Sequence, residues 1–114
     1  MDDCLFCKIV AGTIPSRKAY EDDEVLAFYD IDPQAPSHIL VIPKRHIQSA
    51  DALLPEDGTT VMAMFAAAQR VAKESGINKS GYRIVTNIGE DAGQSVPHMH
   101  LHVLGGRSLQ WPPG

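Results

Sequence analysis

This chain has no long hydrophobic run, little concentrated positive charge and only two cysteines, and each scarcity closes off a class of function. None of its apolar stretches approaches the roughly 18 residues that a membrane-spanning helix requires, so no membrane partner is expected. Lys and Arg number 10 against 14 Asp and Glu, for a net charge of −4, and basic residues come no denser than pairs such as Lys44-Arg45. A surface that tracks the phosphates of a long nucleic acid is therefore not expected, whereas the phosphate of a small substrate needs only a few local donors. Met1-Asp2-Asp3 opens acidic where a secretory signal would open basic, which predicts a cytoplasmic location. No repeat or low-complexity segment occurs.

What is present is ordinary globular material, 44% hydrophobic and 21% charged over 114 residues. That length makes one domain with a single core that needs no disulfide staples. Against this background the histidines stand out. Of the five in the chain, three sit at alternate positions, His98, His100 and His102, with Met99, Leu101 and Val103 between them and Gly105-Gly106 closing the run. A period of two puts successive side chains on one face of a β-strand. One face is imidazole and the other aliphatic, so the aliphatic face is predicted to meet the core while the histidines line a surface or pocket.

A lone strand histidine is more often a hydrogen-bonded filler than a catalyst. Three in register are different, because neighbouring imidazoles repel when protonated and are held neutral near pH 7 with nitrogen lone pairs available. That suits a nucleophile or a metal ligand. A three-histidine zinc site ranks second, since positions i, i+2 and i+4 of one strand span too much length to converge on one ion.

The remaining pattern predicts an α+β fold with an antiparallel sheet. Cys4 to Val10 reads as a short helical turn ending at Gly12, and Ala19–Glu21 and Val25–Tyr29 as strands flanking the turn residues Asp22-Asp23-Glu24. Pro33 and Pro36 interrupt the ladder before an apolar strand from His38 to Ile42, stopped by Pro43. One long helix runs from Glu56 or Thr60 to Ser75, with Val61, Met64/Phe65, Ala68 and Val71/Ala72 at helical spacing and Gly76 as its stop. Tyr82–Asn87 is a fourth strand, Gly89–Ser95 a glycine-bearing loop and the histidine run a fifth strand. Cys4 and Cys7 form Cys-x-x-Cys, which here suggests zinc or a redox dithiol before a structural disulfide. A redox pair should follow a strand, and this one begins four residues into the chain; zinc would need two further ligands.

His98-Met-His100-Leu-His102-Val-Leu resembles the His-φ-His-φ-His-φ-φ signature of the histidine triad superfamily. Phe6-Cys7-Lys8-Ile9, Ile14-Pro15, Asp30 to Pro36, His38, Pro43 to Ile47, Gly81-Tyr82-Arg83, Gly93-Gln94-Ser95 and the ending Trp111-Pro112-Pro113-Gly114 extend the similarity to the Hint branch over essentially the whole chain. The resemblance implies a single domain over residues 1–114, with a five-stranded antiparallel sheet, one long helix and a short N-terminal helix. It also implies a homodimer whose sheets join into ten strands, the tail of residues 105–114 reaching the partner's site.

The activity so implied is purine nucleoside phosphoramidase, hydrolysing nucleoside 5′-phosphoramidates and aminoacyl adenylates and releasing AMP or GMP. His100 would be the nucleophile, supported by His102, His38 and Ser95. Phe28 and Ile31 would sandwich the base, and Asp30 would accept from the ribose. Asn87, Val96 and Trp111 would face the nucleotide, with backbone amides around Gly93 and Gln94 on phosphate oxygens. No cofactor is implied for catalysis. His46 and His98 join Cys4 and Cys7 at the positions that hold a structural Zn2+ in zinc-containing members, free thiols being the alternative. Taken alone, Asp30 is a strand-end acid, His38 a strand-end histidine and Ser95 a turn residue. Pro97 and Ala92 depart from the commonest pattern, and Pro97 removes a backbone donor. Competing functions are a non-catalytic nucleotide-binding or scaffold module and a dinucleoside polyphosphate hydrolase of the Fhit type.

Overall fold

The computed structural model describes residues 3–114; the acidic opening at Met1-Asp2 lies outside them. Cys4 caps helix α1 (Leu5–Ala11) through its sulfur, which accepts from the Cys7 amide, and Gly12 at φ 81° ends it. Strands β1 (Lys18–Glu21) and β2 (Val25–Tyr29) follow as a hairpin. Asp22 makes that turn by accepting the amides of Glu24 and Val25 at 2.8 and 2.9 Å on one carboxylate oxygen. Strand β3 (Ser37–Pro43) is succeeded by two single turns of 3-10 helix, then by α2 (Gly58–Glu74), β4 (Tyr82–Val85) and β5 (Leu101–Gly105). The five strands form one antiparallel sheet in the order β1-β2-β3-β5-β4. Fold class, strand number and the two expected helices are thus observed.

Helix α2 covers one face of the sheet. Its Met64, Ala67, Ala68, Val71 and Ala72 pack on Val25 and Ala27 of β2, Ile39 and Val41 of β3, and Leu101 and Val103 of β5. The expected stripe holds at Met64, Ala68, Val71 and Ala72; Ala67 also lies inward, whereas Phe65 is 39% exposed. Alanine at the contact lets the helix approach the sheet closely. The stop at Gly76 is a Schellman motif, the amides of Gly76 and Ile77 reaching the carbonyls of Lys73 and Ala72. On the opposite face, Phe6 and Ile9 of α1 pack on Leu26, Phe28, Leu40 and Ile42.

Strand β5 begins later than its histidine pattern suggests. His98, Met99 and His100 precede the ladder, because the amides of His98 and Met99 donate to the carbonyls of Val96 and Ile47 instead of to a neighbouring strand. The alternation nevertheless survives. Met99, Leu101 and Val103 all enter the core beneath α2, while His98 and His100 are themselves buried. Strand β4 also stops short, at Val85, leaving Asn87 beyond it.

Gly105 closes β5 against Ile77, where an added Cβ would lie 2.9 Å from the Ile77 Cβ and Cδ1. Gly105→Ala should therefore cost about 1–3 kcal/mol by overpacking, read as a lowered urea midpoint at unchanged m-value.

Candidate active site and metal centre

The histidine face is organised by a simple requirement: a buried neutral imidazole has one nitrogen that donates and one that accepts, and each needs a suitable neighbour. His100 places Nδ1 2.7 Å from the carbonyl oxygen of His98. A carbonyl can only accept, so Nδ1 carries the proton and Nε2 keeps its lone pair. His98 is set the other way round, its Nε2 donating to the Pro43 carbonyl at 2.8 Å and its Nδ1 left bare.

His38 and His102 form a relay. The Gln34 amide donates to His38 Nδ1 at 3.0 Å, so His38 Nε2 bears the proton and donates to His102 Nδ1 at 2.9 Å. His102 must then be protonated on Nε2, and that N–H is buried with no partner among the described residues. An orphaned donor of this kind costs about 1–3 kcal/mol and marks a place where a ligand acceptor would be welcome. Asp30 joins the relay from the side, its Oδ2 3.4 Å from His38 Nε2. Although ligand atoms of Asp30, His38 and His102 lie within 4.8 Å of one another, a metal there would need the lone pair that His38 Nε2 lacks while Gln34 holds Nδ1.

Electrostatics agree with neutral rings at His38 and His102. Burial pushes His102 down to about 4, helped by the neighbouring His100 and His38. Burial likewise lowers His38, though the Asp30 and Asp32 carboxylates oppose it.

A cleft of about 540 Å³ lies against α1, lined by Phe6, Ile9, Phe28, Asp30, Ile31 and Ser95 among others. Ile31 is fully exposed at its rim, and Asn87 and Val96 are half-buried. Trp111 is 79% exposed and does not line the cleft of its own chain. Sequence reasoning missed several contributors. Phe6 stands edge-on to Phe28, His98 and His100, with ring centroids 5.6, 5.8 and 5.1 Å away, and Thr86 donates to the His100 carbonyl at 2.8 Å. The pairing of Phe6 with Ile9 on one short helix was a readable sign of an apolar wall; Gln34 fell within the Asp30 to Pro36 similarity with no role attached, and nothing in the sequence pointed to Thr86.

The glycine loop differs from expectation. The amides of Gly93 and Gln94 donate to the carbonyls of Glu90 and Gly89 at 2.9 and 3.1 Å, so they close the loop on itself and are not free for phosphate. Gln94 also uses its side chain internally, accepting from the Gly89 amide and donating to the Gln48 and Val96 carbonyls.

The Cys4–Cys7 pair, His46 and His98 come together from three separate parts of the sequence. Cys4 Sγ lies 3.3 Å from His98 Nδ1, Cys7 Sγ 3.6 Å from the same nitrogen and 3.3 Å from His46 Nδ1. Tetrahedral zinc with sulfur near 2.3 Å and nitrogen near 2.0–2.1 Å needs these atoms about 3.5 Å apart, so the four donors fit it. Burial pushes the Cys7 thiol up, a bias against thiolate that a divalent cation would reverse.

Residues 11–109 match the HIT domain family. The chain belongs to it. An uncharacterized HIT-like protein of Synechocystis sp. is 45% identical over 113 residues, spanning 99% of this chain and 98% of that one. Among solved structures, a HIT family hydrolase from Legionella pneumophila is similar with a TM-score of 0.96 and 46% identity, covering 98% of this chain and all of that one. A HIT family hydrolase from Clostridium thermocellum follows at 0.94 and 42%, covering 96% of each. This HIT chain is thus similar to HIT family hydrolases in sequence and in fold. Among the described residues no helix is long and apolar enough to cross a membrane.

The depressed His102 has a consequence for stability. Between about 4 and the unfolded value of about 6.5 the unfolded chain binds more protons at this position, so stability rises with pH there and is lost as pH falls through that window. Urea midpoints measured from pH 7 to pH 4 should fall, and His102→Gln should flatten the fall.

Proposed function

We propose that this HIT protein hydrolyses the P–N bond of purine nucleoside 5′-phosphoramidates, and the mixed anhydride of aminoacyl adenylates, through a nucleotidyl intermediate on His100. The observation that carries this reading is the tautomer of His100. With Nδ1–H held by the His98 carbonyl, Nε2 is an unprotonated nucleophile without any general base having to act first. Nε2 attacks the α-phosphorus and the bond to the leaving amine breaks. The amine takes up a solvent proton, passed through the Ser95 hydroxyl at the cleft. The imidazolium so formed keeps its Nδ1–H on the carbonyl, which stabilises its charge. Water then attacks phosphorus and gives a proton to solvent, the P–Nε2 bond breaks to restore the neutral imidazole, and AMP or GMP leaves.

The orphaned His102 Nε2–H suits a phosphate oxygen, and so do the amides of Ser95 and Val96, which donate to nothing in the chain among the described residues. The base lies in the apolar cleft between Phe28 and Ile31, and Asp30 accepts from ribose hydroxyls. Apolar faces do not read a base edge, so purine preference arises mainly from the area covered. Cys4, Cys7, His46 and His98 hold a structural Zn2+, whose closed four-ligand shell supplies folding free energy and no chemistry at phosphorus.

A homodimer completes the picture. Met62 and Phe65 expose an apolar strip on α2, β4 leaves a free sheet edge, and Arg83 holds the tail by donating to the Gln110 carbonyl at 3.0 Å while Trp111 projects outward. These features favour pairing across β4 and α2 with each tail at the partner's cleft, in the cytoplasm. Sedimentation at low micromolar concentration should give a dimer; a monomer opposes this part of the reading.

A fluorogenic adenosine phosphoramidate should be turned over, and His100→Asn should lower kcat at least about 10³-fold while the protein stays folded. Equal turnover by that variant rules out the mechanism, and tight AMP binding with no hydrolysis favours a nucleotide sensor. Faster cleavage of diadenosine polyphosphates than of phosphoramidates would move the substrate class. Protein purified without added zinc should carry one ion per chain, and a chelator should lower its Tm; a metal-free preparation of equal heat stability excludes the zinc.

A further inference from the structure

The metal donors and the candidate nucleophile meet in one residue, His98. Its ring Nδ1 faces the two thiols, at 3.3 and 3.6 Å, and its main-chain carbonyl is the acceptor that selects the His100 tautomer, at 2.7 Å. That carbonyl lies outside the sheet ladder, which begins only at Leu101. Among the described residues few bonds besides that from His100 therefore fix it: the His98 amide to Val96, the Met99 amide to Ile47, and the His98 ring itself, held at Nε2 by Pro43. A ligand bond at Nδ1 is the remaining anchor. Phe6 adds a second link, since it sits between Cys4 and Cys7 in sequence and places its ring edge-on to both His98 and His100.

We propose that the Cys4-Cys7-His46-His98 site, when it holds zinc, is a positioning device for His100, fixing the His98 carbonyl that keeps the nucleophilic nitrogen unprotonated. His98 is the positioning residue, and Cys4, Cys7 and His46 act through it. The inference rests on the reading of His100 as nucleophile. It differs from a purely stabilising zinc in a specific way: an emptied site loses kcat before it loses the fold, and nucleotide binding in the cleft changes little. Without the metal, His98 Nδ1 is free to take the ring proton, release Pro43 and let its carbonyl turn, whereupon His100 samples the Nε2–H form that cannot attack.

The test reads the tautomer directly. Protein carrying 15N-histidine is compared by long-range 1H–15N spectra with zinc bound and after chelation, the His100 signals being assigned with His100→Asn. The Nδ1–H pattern is expected with zinc, and a shift toward averaged or Nε2–H character without it, in a protein still folded by circular dichroism. In parallel, His46→Gln should lower kcat about tenfold or more with KM within about twofold, and excess zinc should restore it. An unchanged His100 tautomer in folded metal-free protein, or a Tm loss with kcat intact below the melt, overturns the proposal. Should chelation unfold the chain, His46→Gln, which removes one ligand and leaves His98 in place, is read instead, and a folded His46→Gln protein with the wild-type His100 tautomer and kcat overturns it. The tautomer measurement uses no substrate, so absence of phosphoramidate turnover in the zinc-loaded protein counts against the proposed reaction alone.

Discussion

Burying a row of imidazoles is the constraint on which the rest of this structure depends. Each ring taken from water must give both nitrogens a partner or leave one exposed to the cost of an unmade hydrogen bond, about 1–3 kcal/mol. His98 and His100 meet the demand with main-chain carbonyls, from Pro43 and His98 itself, and His38 with the Gln34 amide. These bonds explain why the segment before Leu101 leaves the ladder and why β3 ends with a proline carbonyl directed toward the histidines. The sheet is the scaffold, but the imidazoles dictate where its regular pairing stops.

Competing terms decide the charge state. Carboxylates at Asp30 and Asp32 favour protonation of His38, and Asp30 favours it for His102, yet desolvation outweighs them in both rings. Neutrality is what allows a fixed pattern of tautomers, since an imidazolium donates from both nitrogens and would break the relay at whichever one accepts. Among the described residues His102 alone is left with a buried unmatched side-chain N–H. The same logic separates the two clusters of potential ligands: the bare Nδ1 of His98 converges with two thiols and His46 at one, whereas at the other the shared proton occupies the nitrogen a metal would need.

The sheet, the helices and the histidine alternation were legible in the sequence because each depends on local periodicity and local stops. Pro43, Gly12 and Gly76 punctuate the elements where expected, and Met99, Leu101 and Val103 pack as an alternating run should. What local pattern could not reveal were hydrogen bonds formed at long sequence separation. The Met99 amide finding Ile47, the Thr86 hydroxyl finding His100 and the Gln94 side chain finding Gln48 all depend on tertiary placement. Phe65 misled for a related reason, since helical spacing makes it a neighbour of Met64 without saying which of the two meets the sheet. The amides of Gly93 and Gln94 looked available because glycine permits close approach, yet that freedom is used to fold the loop on itself.

That self-closed loop bears on how a ligand would be received. Gln94 ties residues 89, 96 and 48 together through one side chain, so the stretch that carries Ser95 to the cleft is already ordered. Binding then has no loop to immobilise, and the conformational entropy that a floppy phosphate loop would lose on each encounter has been lost once, at folding. A nucleotide meeting such a surface gives up chiefly its own freedom and its water, which favours a rigid, rapidly reversible encounter over a slow closing of the site around its guest.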